Sequence, residues 1–276
     1  MKSNQNAPNE KQPDHTCLPQ EKFPMKSLTR YIPNTLTCIS LLFGFYAAIA
    51  GITGQYFVAM IAILIAAVFD FCDGLAARLL KAYSAMGKEL DSLSDVISFG
   101  VAPGMMMFGF LDQILHSLSW HESVVCKLFL LVAFAIPVFS GLRLAKFNID
   151  DRQKSSFLGL PVPAHAILWS SLIVVLANDF HASICFFPQV AISLASIPPV
   201  VLLFGLTITV MMTSLLLVSE LPMFSLKITS LSLKSNKLPV LLITSGIVFI
   251  LLFGITGIAT TILLYILLCG LLKNNI

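Results

Sequence analysis

Charged residues are scarce in this sequence. Asp, Glu, Lys and Arg make up 11% of its 276 residues and hydrophobic residues 57%, whereas soluble domains average ~25% charged residues. Several uncharged stretches are longer than about 20 residues, which is the length that a helix needs to cross a bilayer core. The composition therefore excludes an ordinary soluble domain and predicts a helical membrane protein.

Other signals are missing as well. The six cysteines are scattered, with no CxxC pair or Cys/His cluster, so neither a zinc site nor a disulfide framework is indicated. No internal repeat of the kind found in many secondary transporters is present. Residues 1–30 are polar and proline-rich, without an apolar core before a cleavage site. We predict that they form a flexible cytoplasmic tail and not a signal peptide.

Uncharged runs predict eight membrane spans. Two long runs, 31–69 and 238–272, are interrupted by small residues at 51–55 and 254–257, so each is expected to form a hairpin of two spans. Four single spans fit between them, at 96–111, 128–142, 161–178 and 198–218. The sequence thus predicts an all-α polytopic membrane protein, with a six-span catalytic core at 31–218, a cytoplasmic loop at 219–237 and a C-terminal two-helix hairpin at 238–276.

The distribution of basic residues tests this topology. With eight spans, sixteen of the seventeen Lys and Arg residues fall on one side of the membrane, and only Lys127 falls near an opposite-side loop. Because Lys and Arg accumulate in short cytoplasmic loops, both termini are predicted to be cytoplasmic. The formal charge of +3 then reflects topology and requires no nucleic-acid partner.

Four carboxylates stand out against this apolar background. Asp70 and Asp73 share one face at the end of span 2, and Asp91 and Asp95 share one face at the start of span 3. The two helices are antiparallel neighbours joined by a short connection, so their acidic faces can meet at one depth. Four converging carboxylates would repel one another unless divalent cations neutralised them, and an all-oxygen set favours Mg²⁺ or Mn²⁺.

Small and basic residues accompany the aspartates. Gly74 and Ala77 lie on the acidic stripe of span 2 and leave room for a bulky ligand, Arg78 carries a guanidinium fork suited to phosphate, and Gly87 allows the loop to turn back. Taken singly, the small residues are typical of helix packing and the basic ones of cytoplasmic anchors. Together they indicate a pyrophosphate site beside a metal.

This combination resembles the motif of the CDP-alcohol phosphatidyltransferase family at every fixed position. The family's Pro-Asn and Thr near the start of span 1 also appear, as Pro33-Asn34 and Thr37. The resemblance implies a metal-dependent enzyme that transfers a phosphatidyl or similar group from a CDP-linked donor to an alcohol and releases CMP, and it implies a homodimer. The implied CDP-binding residues are Asn34, Thr37, Gly74, Ala77, Arg78 and Gly87.

The resemblance also assigns roles to the acids. Asp70, Asp73 and Asp91 are expected to bind Mg²⁺ or Mn²⁺, and Asp95 is expected to be the general base and able to bind a second metal. A donor with two acyl chains would lie in the bilayer, with its head group reaching this site from the cytoplasmic leaflet of the cell inner membrane. A cation-coupled transporter is the remote alternative, but transporters more often hold such aspartates near the bilayer midplane on interrupted helices.

The acceptor alcohol is predicted from a second segment. Residues 141–148 and 157–164 look like the phosphatidylserine synthase branch of the family, with Lys146 where that branch often has Arg. This resemblance implies transfer from CDP-diacylglycerol to L-serine in phospholipid biosynthesis. We hypothesise that Arg143, helped by Lys146 or Asn148, binds the serine carboxylate. Glycerol 3-phosphate or inositol remains an alternative acceptor, and Arg143 and Lys146 could instead anchor the topology.

Overall fold

Within a bilayer the backbone must satisfy its own hydrogen bonds, so the uncharged runs are expected to be helical. A computed structural model describes residues 28–120, 123–149, 157–177, 197–223 and 237–271. Most of the predicted N-terminal tail and of the loop at 219–237 lies outside these residues. In the described ranges the helices are α1 (Leu28–Ile52), α2 (Tyr56–Leu79), α3 (Ala85–Val96), α4 (Ala102–Ser117), α5 (Val124–Lys127), α6 (Ala135–Ile149), α7 (Val162–Leu176), α8 (Pro199–Val218), α9 (Lys237–Phe253) and α10 (Ile255–Leu271).

The described chain forms eight apolar helical stretches, in agreement with the prediction. Five are long and apolar enough to cross a membrane: Tyr31–Ile52, Tyr56–Leu79, Ala85–Ser117, Leu128–Ile149 and Pro199–Val218. Three shorter apolar helices, Val162–Leu176, Leu238–Phe253 and Ile255–Leu271, complete the set. The chain is therefore an all-α polytopic membrane protein.

One of the long helices combines three segments. A π-helical stretch, Ile97–Val101, joins α3 to α4, so the helix runs without a break from Ala85 to Ser117. A π turn holds one residue more than an α turn, and such turns are frequent at functional sites. Asp91 and Asp95 thus lie in the N-terminal part of the same helix that continues as a membrane span. A second long helix combines α5, a 3₁₀ stretch at Leu128–Phe134, and α6.

Both predicted hairpins are present. Helices α1 and α2 are joined by the short turn that contains Gly54, whose φ is +81°, and α9 and α10 are joined at Gly254, whose φ is +59°. This left-handed backbone conformation is readily adopted by glycine, which has no Cβ. The turns explain why small residues interrupt these two long apolar runs.

Helix α1 holds the two acidic helices in register. The Ser40 hydroxyl donates to the Ala66 carbonyl of α2 at 2.9 Å, and the Ser98 hydroxyl donates to the Ser40 carbonyl at 3.2 Å. Gly44 lies against Ser98 so closely that an added Cβ would overlap it. Through these contacts α1 fixes the distance between the C-terminal end of α2, which carries Asp70 and Asp73, and helix α3, which carries Asp91 and Asp95.

A short strand pair links the segments beside α7 and α8. Phe157 pairs with Met223 and Leu158 with Pro222 in antiparallel register. Between the two helices, the buried His165 ring lies 3.1 Å from the Thr213 hydroxyl, and the Trp169 indole N–H donates to both residues at 3.1 Å. His165 is therefore a packing residue that joins α7 to α8.

The C-terminal hairpin is packed onto the rest of the molecule. Helix α10 lies against α7 and buries Tyr265 and Cys269. An added Cβ at Gly257 would overlap the backbone of Phe249, so this glycine allows α9 and α10 to approach closely. The hairpin is thus part of the folded bundle.

Candidate active site and metal centre

Three aspartates form a compact carboxylate cluster. Asp70 near the end of α2 and Asp91 and Asp95 on α3 each contribute one oxygen, and these oxygens all lie within 4.8 Å of one another. Asp91 and Asp95 are one turn apart and so face the same direction. The structure thus brings together three of the four predicted acids.

The fourth acid, Asp73, lies beside this cluster. It is one helical turn after Asp70 on the same face of α2, its side chain is buried, and it interacts electrostatically with Asp70 and Asp91. Its Oδ2 atom has no hydrogen-bond partner among the described residues. The Thr37 hydroxyl of α1 lies near the Asp73 carboxylate, and the Thr37 carbonyl accepts a bond from Ser94 of α3 at 3.4 Å.

The carboxylates suit a divalent cation. Asp95 Oδ1, like Asp73 Oδ2, is buried and has no hydrogen-bond partner within the described part of the chain. Burying like charges together without partners costs several kcal/mol. A cation bound between these oxygens would compensate the charge and complete their coordination, and oxygen-only donors suit hard cations. The residues present therefore fit a metal ion.

A cavity of about 240 Å³ adjoins the cluster. It lies between the start of α1, the end of α2 and the start of α3, and Asp73 and Asp91 contribute to its wall. Six further lining residues are those that the sequence predicts to contact CDP: Asn34, Thr37, Gly74, Ala77, Arg78 and Gly87. Asp91 belongs to both the cavity and the carboxylate cluster, so the two features are parts of one site.

The two glycines shape this cavity differently. A Cβ added at Gly74 would meet only the Arg78 Nη2 atom, at 3.8 Å, so this glycine keeps cavity space open. A Cβ at Gly87 would lie 2.9 Å from both Asn34 Oδ1 and Ser84 Oγ. Ser84 caps α3 by accepting the Gly87 N–H at 2.9 Å. Gly87 thus allows the α1 amide and the α3 cap to approach each other.

Sequence reasoning missed part of the cavity wall. Tyr83, Ser84 and Lys88 line it together with Ala82 and the predicted residues. None of these four is among the residues predicted to bind CDP. All four lie between Arg78 and Gly87 or next to Gly87. Because the sequence predicts both of these residues to bind CDP, the segment that joins them was the signal that could have identified the four.

Arg143 does not line this cavity. Its side chain on α6 is only 7% exposed, and its guanidinium interacts electrostatically with Asp95. The guanidinium carbon is 5.8 Å from the centre of the Phe147 ring. The Arg143 Nε atom is buried and has no hydrogen-bond partner among the described residues. A buried cation with an unused donor is well suited to receive an anionic group.

The other two predicted acceptor residues have different surroundings. Lys146 Nζ lies 3.5 Å from a Glu220 carboxylate oxygen and 3.5 Å from the Val218 carbonyl oxygen, beyond the end of α8. The Asn148 amide donates to the Ser92 hydroxyl at 3.0 Å, next to Asp91. Of the three residues, Arg143 is the one whose charge interacts with a carboxylate of the cluster, that of Asp95.

Comparison with known proteins gives consistent matches. A sequence profile of the CDP-alcohol phosphatidyltransferase family matches residues 30–211. The chain is 33% identical over 151 residues to the CDP-diacylglycerol–serine O-phosphatidyltransferase of Helicobacter pylori, covering 54% of this chain and 59% of that protein. The Bacillus subtilis protein of the same name is 35% identical over 133 residues, covering 48% and 70% of the two chains.

An archaeal relative is similar at the same level. The archaetidylserine synthase of Methanothermobacter thermautotrophicus is 33% identical over 150 residues, covering 53% of this chain and 60% of that protein. The chain thus spans less than two thirds of the length of the Helicobacter and Methanothermobacter relatives. The family profile contains the acids, the cavity residues and Arg143, whereas α9 and α10 lie beyond it.

Proposed function

The chain belongs to the CDP-alcohol phosphatidyltransferase family, and on that premise we propose that it transfers the phosphatidyl group of CDP-diacylglycerol to the hydroxyl group of L-serine. The products are phosphatidylserine and CMP. The observation that carries this proposal is that one cavity, lined by all six predicted CDP-binding residues, shares Asp91 with a cluster of three carboxylates. The matched relatives are named for serine transfer.

The cavity is assigned to the CDP group. Arg78 and Lys88 supply positive charge for phosphate oxygens, and Gly74 and Ala77 leave space for the ligand against α2. Asn34 and Thr37 offer polar groups from the start of α1 on the opposite wall. The acyl chains of the donor then remain in the bilayer beside these helices.

Asp70, Asp73 and Asp91 are assigned to metal binding, with Mg²⁺ or Mn²⁺ as the ion. When bound, the ion supplies positive charge that stabilises the pyrophosphate and the departing CMP. The three side chains would hold the ion, and the α1 contacts described above keep α2 and α3 at a fixed separation.

Asp95 is assigned as the general base, and its carboxylate, which belongs to the cluster, is also proposed to bind a second metal. The serine hydroxyl gives its proton to Asp95, its oxygen forms a bond to the phosphorus next to the diacylglycerol, and the bond from that phosphorus to the CMP oxygen breaks. No covalent bond to the enzyme is needed.

Arg143 is assigned to the serine carboxylate. Its charge interacts with that of Asp95, so an acceptor held by its guanidinium would present its hydroxyl near the base. Asn148 is close to Asp91 through Ser92 and can contribute a polar contact, whereas Lys146 contacts Glu220. We propose that donor and acceptor approach the carboxylates from different directions, since Arg143 does not line the cavity assigned to CDP.

The topology proposal follows from the charges. Both termini and the active site face the cytoplasm, in the cell inner membrane, because the basic residues concentrate on that side. Residues 31–218 form the catalytic core, residues 219–237 a cytoplasmic loop, and residues 238–276 an added hairpin. We also propose that two copies of the chain pair, as the family resemblance implies.

The test is an acceptor comparison with purified protein in detergent. CDP-diacylglycerol and Mg²⁺ or Mn²⁺ are supplied with L-serine, inositol or glycerol 3-phosphate in turn, and CMP release is followed together with the lipid product. We expect serine to give the fastest release and phosphatidylserine as product. Faster release with another acceptor would reassign the substrate. If none of the acceptors raises CMP release above background, the transferase function is refuted.

A further inference from the structure

The cavity assigned to CDP is elongated along α3. Ser84, Gly87 and Asp91 line it on successive turns of this helix. The seven-residue step from Ser84 to Asp91 corresponds to about 10 Å at 1.5 Å per residue. Ser84 caps the start of α3, whereas Asp91 belongs to the carboxylate cluster. The cavity therefore has a carboxylate end at Asp91 and an outer end at Ser84.

Helix α1 follows the same order. The Thr37 carbonyl accepts a hydrogen bond from Ser94 of α3 at 3.4 Å, three residues after Asp91, so Thr37 lies at the carboxylate end. Asn34, one turn earlier on α1, lies toward the outer end, since a Cβ added at Gly87 would be 2.9 Å from Asn34 Oδ1. Two helices thus define the same direction from the carboxylates to the outer end.

The outer end carries an aromatic side chain. Tyr83 directly precedes Ser84 and is the one aromatic residue among the described residues that line the cavity. Tyr83 is 70% exposed, so the rest of the chain leaves most of its ring uncovered. An uncovered aromatic face at the wall of a cavity is suited to stack on a flat ligand group.

The backbone on both sides of Tyr83 is held in place. Before it, the N–H of the buried Ala82 donates to the Ala77 carbonyl at 3.0 Å, and Lys81 turns the chain out of α2 with a φ of +51°. After it, Ser84 caps α3. The ring is therefore presented from a short, hydrogen-bonded turn, which reduces the conformational entropy that ligand binding would cost.

The chemistry of CDP determines which part of it suits each end. The pyrophosphate carries the negative charge and belongs at the carboxylate end, where the metal is proposed to bind. The cytidine extends away from the pyrophosphate, and its cytosine ring is flat and uncharged. We propose that the outer end of the cavity is the nucleobase subsite and that Tyr83 stacks on the cytosine ring. This inference rests on the function proposed above and names the part of the donor that the outer end receives.

The test is CMP binding, measured by titration calorimetry with the purified full chain in detergent and Mg²⁺. Tyr83→Ala should weaken CMP binding about 5- to 150-fold, the effect of removing an aromatic side chain that stacks on one base. Tyr83→Phe keeps the ring and should stay within about twofold of wild type, because stacking does not need the hydroxyl. Ribose 5-phosphate, which lacks the base, should bind equally to wild type and Tyr83→Ala.

Tyr31→Ala is the matched control. Tyr31 is 63% exposed near the start of α1 and is not among the residues that line the cavity. Exposed tyrosines also anchor proteins at the membrane–water interface. An anchoring role for Tyr83 predicts wild-type CMP affinity in both alanine variants, and that result would overturn the proposal. Stacking predicts a loss that is confined to Tyr83→Ala.

Two other outcomes would also overturn the proposal. An equal loss of ribose 5-phosphate binding in Tyr83→Ala would mean that Tyr83 acts on the sugar, the phosphate or the shape of the cavity. Weakened binding in Tyr83→Phe to the level of Tyr83→Ala would assign the effect to the hydroxyl. If Tyr83→Ala cannot be purified, Tyr83→Leu replaces it, since leucine keeps an apolar side chain but has no flat ring.

Steady-state kinetics provides a second readout. In Tyr83→Ala, KM for CDP-diacylglycerol should rise while KM for serine stays unchanged, because Arg143 does not line the cavity. Equal rises in both constants would contradict the proposal. The binding experiment needs no acceptor, so the two proposals fail separately. If no acceptor raises CMP release by the wild-type protein, the proposed function fails, whereas unchanged CMP affinity in Tyr83→Ala refutes the nucleobase subsite alone.

Discussion

Gly74→Ala is expected to raise the stability of the protein while lowering its activity with CDP-diacylglycerol. The added methyl group would meet only the Arg78 Nη2 atom, at 3.8 Å, which is ordinary van der Waals contact. Gly74 lies inside α2, and alanine is favoured over glycine in a helix interior by about 1 kcal/mol. The folded protein without ligand should therefore gain stability, because nothing in its described structure is displaced.

The same methyl group would occupy space assigned to CDP. Gly74 lines the cavity of about 240 Å³ together with Ala77 and Arg78. Forcing an extra methyl group into a filled, well-packed site typically costs about 1–3 kcal/mol, which corresponds to a loss of about 5- to 150-fold in kcat/KM for CDP-diacylglycerol. Serine KM should change little, since Arg143 does not line this cavity.

Two measurements on the purified variant check this prediction. Thermal unfolding in detergent should show a melting temperature raised by about 2–4 °C. CMP release with varied CDP-diacylglycerol should show the loss in kcat/KM. Gly205→Ala is the matched control, since Gly205 lies inside α8 with nothing within 4 Å of an added Cβ and does not line the cavity. It should show the same stability gain with unchanged activity.

The expected gain in stability and the expected loss in kcat/KM can be contradicted separately. Wild-type kcat/KM for CDP-diacylglycerol in Gly74→Ala would show that the ligand does not approach α2 at this position. A lowered melting temperature together with lost activity would show that the glycine serves the fold, and the cavity assignment would lose its main support.

Three further predictions follow from the carboxylates and Arg143. Asp95→Asn should reduce kcat by about 10²- to 10⁴-fold with donor KM little changed, because the general base is lost; full turnover in this variant would refute the assignment. Removal of divalent cations with EDTA should bring CMP release to background, with recovery on adding Mg²⁺ or Mn²⁺, and persistent activity in EDTA would contradict the metal site. Arg143→Ala should raise serine KM by at least about tenfold, whereas an unchanged serine KM would remove Arg143 from the acceptor site.

The helices and the cavity follow from local sequence patterns. Charge-free runs of sufficient length define the spans, and residues such as Gly54 and Gly254 mark the turns of the two hairpins. Helical periodicity places Asp70 and Asp73 on one face of α2, and the short connection to α3 brings Asp91 toward them. The convergence of acids and small residues could therefore be predicted from spacing alone.

Contacts between distant segments could not be predicted in this way. Lys146 meets Glu220, and His165 meets Thr213, across 74 and 48 positions of the sequence. Such pairs depend on how α6, α7 and α8 pack, which hydrophobic periodicity does not specify in helices that are apolar on all sides. The same limit applies to Asp73, because spacing shows which face it occupies but not which of the four acids are nearest to one another.

The π-helical stretch at Ile97–Val101 has a consequence for how the protein can vary. A residue added within a helix rotates everything after it by about 100° relative to everything before it. The N-terminal part of this helix can therefore present Asp91 and Asp95 in the orientation about the helix axis that the proposed chemistry requires. Met106, Met107 and Leu111, after the stretch, face the bundle core in an orientation that is set independently. The stretch works as a rotational offset that lets the end carrying the proposed catalytic aspartates and the buried span of one continuous helix be optimised separately.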